Sequence, residues 1–211
     1  GKQPIDGTSG LLILAADDDA QVYMHAALPL TGAPVPKPSV AAPLPGGLPA
    51  PGEGPGSAAG PILDDGFERG DTRAWTSVEF GDQSAVSVEA DAARTDRFGM
   101  RLFAPNVPGA FAVARYSFPT TRSSLRVDLD FQVLSEGASG GNTPILRLLT
   151  PDGKRLVSIY RQNASAGRIW ITDGSSRSST LGRVELQTWA HLELTAVRDG
   201  DVVQVNVSLD G

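Results

Sequence analysis

Apolar and polar residues alternate through much of the second half of this chain. From Leu125 to Val133 every odd position is apolar and every even one polar (Leu125-Arg126-Val127-Asp128-Leu129-Asp130-Phe131-Gln132-Val133). That period of two belongs to a strand with one face in a core and the other in solvent. Ser84–Glu89 and Phe111–Phe118 repeat it, and Ile145–Leu149, Leu156–Arg161, Arg168–Thr172, Ala190–Val197 and Val202–Leu209 complete the set of strand signals. Turn-forming clusters lie between them, at Pro105–Gly109, Gly137–Asn142, Pro151–Lys154 and Arg198–Asp201, and no long window carries a helical 3.6-residue period. Short strands at this spacing predict an all-β fold, an antiparallel β-sandwich over residues 62–211.

Two segments precede that domain. Leu11-Leu12-Ile13-Leu14 and Gln21–His25 flank the turn signal Asp17-Asp18-Asp19 and predict a short β-hairpin within residues 1–31. Two strands alone are only marginally stable, so this piece is either the tail of an upstream domain or a source of added strands for the downstream sheet. Residues 32–61 hold nine of the 16 prolines and seven of the 24 glycines, with Lys37 and Glu53 as their only charges. Proline fixes φ and restricts its predecessor, so the stretch favours polyproline II and reads as a Pro/Ala/Gly-rich linker. Leu28-Pro29-Leu30-Thr31-Gly32 fits a sortase signal, but a proline-rich spacer follows it instead of an apolar helix and basic tail. Gly1 is not an initiator Met and no signal peptide is visible, so the chain reads as a processed or excised segment.

Composition narrows the chemistry. Among 211 residues there is no Cys and only two His, which excludes disulfides, thiolate zinc and thiol nucleophiles and disfavours a His-rich metal centre. Acidic residues outnumber basic ones 24 to 18, for a net charge of -6, against a general nucleic-acid binder. No apolar run reaches the roughly 18 residues needed to span a bilayer.

Four motifs in residues 62–211 resemble the concanavalin A-like jelly-roll superfamily, in the laminin-G-type form common in bacterial surface proteins. Leu63-Asp64-Asp65-Gly66-Phe67-Glu68-Arg69-Gly70 with Trp75 is similar to the family's opening, and Arg97-Phe98-Gly99-Met100-Arg101-Leu102 to its second strand. Trp189-Ala190-His191-Leu192-Glu193-Leu194 resembles its tryptophan strand, and Asn206-Val207-Ser208-Leu209-Asp210-Gly211 a hairpin near its end. The resemblance implies a jelly roll, a site outside the cytoplasm at the cell surface, and core roles for Trp75 and Trp189. In the family a further strand follows the Asp-Gly turn. Here the domain is expected either to lack its last strand or to receive it from elsewhere, with residues 11–25 as a candidate donor.

Catalytic signals are thin. Laminarinase-type jelly rolls carry Glu-x-Asp-x-Glu on one strand, so that alternation gathers the carboxylates on one face. Asp128 and Asp130 share a face, but no Glu flanks them at that spacing. A third carboxylate within about 6 Å would be needed to restore the chemistry. No Gly-x-Ser-x-Gly, phosphate-loop or dinucleotide fingerprint is present, and only His25 and His191 are available as bases. The chain is therefore read as a non-enzyme.

A sugar site needs aromatic rings facing outward with polar neighbours. If Leu156–Arg161 pairs with Arg168–Thr172 so that Ile159 faces Ile171, then Tyr160 faces Trp170 on the opposite side, with Arg161, Arg168 and Asn163 near the intervening loop. These five are the candidate ligand residues. The plainer reading is an aromatic pair covered by the linker or by the N-terminal hairpin. For metal, the resemblance admits Ca2+ held by rim-loop carboxylates, with Asp64, Asp65, Asp152 and Asp173 as weak candidates. The leading function is a non-catalytic extracellular binding or adhesion module with a glycan or surface polysaccharide as partner, and no nucleic acid or membrane span. The alternatives are a structural subunit of a filament or surface layer assembled by strand exchange, self-associating or docked to neighbouring domains, and a jelly-roll glycoside hydrolase.

Overall fold

The computed structural model describes residues 11–17, 21–25, 63–118, 124–138, 141–149, 153, 155–172, 177–199 and 202–210. The expected linker at 32–61 lies outside them, as do Asp152 and Asp173. Thirteen strands are present: β1 Leu11–Asp17, β2 Gln21–His25, β3 Ser77–Phe80, β4 Ala85–Glu89, β5 Gly99–Phe103, β6 Phe111–Ser117, β7 Ser124–Ser135, β8 Asn142–Leu149, β9 Arg155–Gln162, β10 Arg168–Thr172, β11 Arg177–Arg183, β12 Trp189–Asp199 and β13 Val202–Asp210. One 3-10 turn, Ala90–Ala92, accompanies them, and there is no α-helix among the described residues.

The strands form two antiparallel sheets. The seven-stranded one runs β11-β10-β9-β8-β1-β6-β3 and the six-stranded one β13-β12-β7-β2-β5-β4. Neither closes into a barrel. The alternation of β7 has the expected consequence: Val127, Leu129, Phe131 and Val133 are fully buried, with Leu192, Leu194, Met100 and Leu102 beside them on the six-stranded sheet. Ala112, Ala114, Ile145, Leu148, Val157, Ile159 and Ile169 of the seven-stranded sheet join the same core. Truncating any one of the large members to Ala removes about 2–5 kcal/mol.

The N-terminal strands correct one expectation. They do not form a hairpin with each other but lie in different sheets. β1 pairs with β6 from Leu11↔Ser117 to Asp17↔Phe111 on one side and with β8 from Leu11↔Leu149 to Ile13↔Arg147 on the other. β2 sits likewise between β5 and β7. The physical reason is the count of ladders: a hairpin strand satisfies one edge, whereas each of these satisfies both.

The opening motif of the main body is a structural clasp. Phe67 is fully buried and holds φ at 62°, a left-handed conformation rare for a bulky residue and costing about 1–3 kcal/mol. Its neighbours hold it there. Its ring stacks on Trp75 at 6.2 Å between centroids, its N–H donates to Asp65 Oδ1 at 3.1 Å, and the Trp75 Nε1–H donates to Asp65 Oδ2 at 3.0 Å. Glu68 accepts from the backbone N–H groups of Arg97 and Phe98, both at 3.1 Å, tying the clasp to the approach to β5. Desolvation works against the Glu68 carboxylate, but those two donors and Arg97 hold it below its usual range.

Burial has the opposite net effect on Asp65. It pushes the carboxyl above its ordinary 3.8, and the Phe67 and Trp75 donors only partly offset it. In the window above 3.8 the folded chain binds more protons than the unfolded one, so stability from this group falls as pH rises. Asp65→Asn has no such term. Its destabilisation is expected to be largest near pH 3 and smaller near pH 7, as measured by denaturant melts of both proteins at the two pH values.

Candidate binding face at the edge of the seven-stranded sheet

The β9–β10 hairpin adopts the expected register, with Ile171↔Ile159 and Trp170↔Tyr160 as direct partners. Ile159 and Ile169 are fully buried, so Arg168, Trp170 and Thr172 stand on the other side of β10. Trp170 is half-buried, and its indole N–H donates to Gln162 Oε1 at 3.0 Å, which fixes the ring plane. Tyr160 is only 8% exposed, so it supports the tryptophan and offers little surface of its own.

Two of the five candidate residues turn inward. Arg161 continues the row of Val157 and Ile159 and is 3% exposed. Its Nε donates to the Val184 carbonyl at 3.0 Å and its Nη1 pairs with Glu136. Asn163 is 2% exposed; it accepts from Thr143 Oγ1 at 3.0 Å and donates to the Ala138 carbonyl at 3.3 Å. Both were expected beside a ligand at the loop. Alternation instead puts them on the core side, where their polar atoms are satisfied internally. Glu136 also accepts from the Ala164 N–H at 3.0 Å, pinning a turn in which Ala164 and Ala166 both hold φ at 53°.

What completes the outer face is a strand that the residue pattern did not reveal. β11 pairs with β10 through Arg168↔Arg183, Ile169↔Gly182 and Trp170↔Thr180, with a bulge between the last two. A bulge re-aims side chains; here it leaves Leu181 as the extra residue. Arg168, Thr180 and Arg183 are exposed, and with Gly182 they line a depression of about 360 Å3; Trp170, the ladder partner of Thr180, stands on the same face. Gly167 sets the spacing at its inner end. It holds φ at 68°, and a Cβ there would meet the Val184 carbonyl oxygen at 2.3 Å. Only glycine allows the start of β10 to lie this close to the end of β11.

The metal candidates fall differently. Asp64 is exposed, and both oxygens of Asp65 are engaged in the clasp. Among the described residues no group of three or more His, Asp or Glu side chains is placed to hold a metal ion.

The outer face of the six-stranded sheet carries a second polar constellation. Asp128 and Asp130 on β7 stand directly opposite Glu193 and His191 on β12. Asp130 Oδ1 lies 2.8 Å from His191 Nδ1 and also pairs with Arg94. Arg126 bridges Asp128, at 3.1 Å through both Nε and Nη2, and Glu193 at 3.2 Å. The hydrogen bond to Asp128 strengthens the hold of Arg126 on its proton. Sequence spacing along one strand could not show Glu193 beside Asp128, because the neighbour arrives across strands.

Comparison of the chain with protein-family models, with curated proteins and with solved structures found no match.

Proposed function

We propose that this chain is a non-catalytic binding module of jelly-roll type, working outside the cytoplasm, that recognises a glycan at the β9–β10–β11 edge. The observation that carries the reading is the shared outer face of Trp170, Arg168, Thr180 and Arg183, the last three of which line one shallow depression. A tryptophan with a fixed ring plane suits the apolar face of a pyranose, and guanidinium and hydroxyl groups suit its oxygens. On a glycan array the wild-type chain is expected to bind, and Trp170→Ala to bind about tenfold or more weakly, equivalent to about 1.4 kcal/mol. Unchanged thermal melting of the variant checks the fold. An array with no signal for either protein removes the proposal.

A second reading rests on Glu193. It supplies the third carboxylate beside Asp128 and Asp130, and His191 adds a base held by Asp130. Against hydrolysis, Arg126 and Arg94 engage all three carboxylates in ion pairs, so each is already occupied by an arginine of the same face. Release of reducing ends from a bound glycan, lost in Glu193→Gln, would favour the enzyme over the module.

A further inference from the structure

The pairing Arg168↔Arg183 is anomalous on its own terms. Two guanidinium-bearing residues face each other directly across an antiparallel ladder, where Cβ atoms are about 4.5–5.5 Å apart and like charges are destabilising. Several other arginines on the outer surfaces are matched: Arg73 with Asp71, Arg94 with Asp130, Arg115 with Glu79, Arg126 with Asp128 and Glu193. Neither Arg168 nor Arg183 has a carboxylate partner among the described residues. Both are exposed, in a chain whose overall charge is -6. Two unneutralised positive charges therefore face each other across this ladder, and the place is a depression with a hydroxyl, Thr180, and a glycine, Gly182, on its wall.

We infer that this depression is an anion site, and that the ligand class is an acidic polysaccharide whose carboxylate or sulfate groups lie between Arg168 and Arg183. The inference rests on the glycan-binding reading and narrows it. Planar guanidinium groups make paired, charge-assisted hydrogen bonds to two-oxygen anions. One anionic group between the two arginines changes their repulsion into two attractions. Trp170, directly opposite Thr180 on the same face, is placed to take the ring that carries the anionic group.

The test is calorimetric titration of the full chain and of an Arg168→Gln/Arg183→Gln double variant with a polyuronate, a sulfated polysaccharide, uncharged dextran and single-stranded DNA. Binding of either acidic polysaccharide, weakened about tenfold or more in the double variant and by added salt, supports the site. A preference between the two names the anionic group. The ligand-free double variant is expected to melt at the same temperature as the wild type or higher, since the substitutions relieve repulsion. Dextran binding that needs Trp170 but ignores both arginines keeps the glycan module and overturns the anion site. DNA binding as tight as the polysaccharides overturns it as mere charge attraction. A double variant that melts well below the wild type overturns it as well, since the arginines would then be structural.

Discussion

Deleting residues 1–25 is expected to abolish the cooperative fold of the remaining chain. β1 and β2 are central, not peripheral. β1 fills the place between β6 and β8, and β2 the place between β5 and β7. Removing them exposes four strand edges inside two sheets and cuts each sheet in two. Ladder hydrogen bonds contribute about 1 kcal/mol each, net. The lost ladders, seven residue pairs with β6, three with β8, four with β5 and five with β7, are comparable with the whole stability of a domain, about 5–15 kcal/mol. Near-UV circular dichroism and thermal melting of the truncated chain check this. The native signal should disappear and the product should aggregate through its bare edges. A synthetic peptide covering residues 8–27, added in trans, is expected to restore it. A sharp melt of the truncated chain without peptide would show that the two sheets stand without their middle strands.

Arg161→Ala is expected to cost about 3 kcal/mol, because removing one partner of a buried, hydrogen-bonded ion pair strands the other. Glu136 loses its cation, the Val184 carbonyl loses its donor, and the turn at Ala164 loses the anchor that Glu136 provides. For a chain of this size each kcal/mol moves the melting temperature by about 2–4 °C, so a fall of about 6–12 °C is the measurable outcome. Arg168→Ala is the control. It lies in the same hairpin but is exposed and, among the described residues, without an acidic partner, so it should change stability by no more than about 0.5 kcal/mol and act on binding instead. If the two variants exchanged these effects, the inward and outward assignment of the hairpin would be wrong.

The contrast between these two arginines shows how far the sequence can be read. Alternation in Leu125–Val133 identified the core face of β7 correctly, and the register of Tyr160 with Trp170 followed from placing isoleucines inside. The same rule, carried two residues beyond Ile159, puts Arg161 inside as well, and Asn163, just past the end of β9, is buried beside it. Polar character suggested the opposite for them, and partners such as Glu136 and Thr143, 25 and 20 residues away in the chain, decided otherwise. β11 carried almost no strand signal, since Arg177-Ser178-Ser179-Thr180-Leu181-Gly182-Arg183 holds one large apolar residue and a glycine. An edge strand with a bulge needs no alternation to pair, so Arg183 and Thr180 were out of reach. The Asp65 clasp was legible as a motif but not as a mechanism: spacing flagged Phe67, Glu68 and Trp75, while their roles come from a backbone turn that only the coordinates reveal.

The central position of β1 and β2 also bears on how the chain acquires its shape. Leu11 meets Leu149, and Gln21 meets Ser135, so both sheets close through contacts spanning more than one hundred residues. Such topologies assemble slowly, because long loops must close before the contacts form. On the ribosome the sticky Leu11-Leu12-Ile13-Leu14 stretch emerges well before β8 and must wait for that strand to be synthesised. During that interval it is a natural client for a chaperone, and the maturation rate of the two sheets is set by the late pairing of β1 and β2.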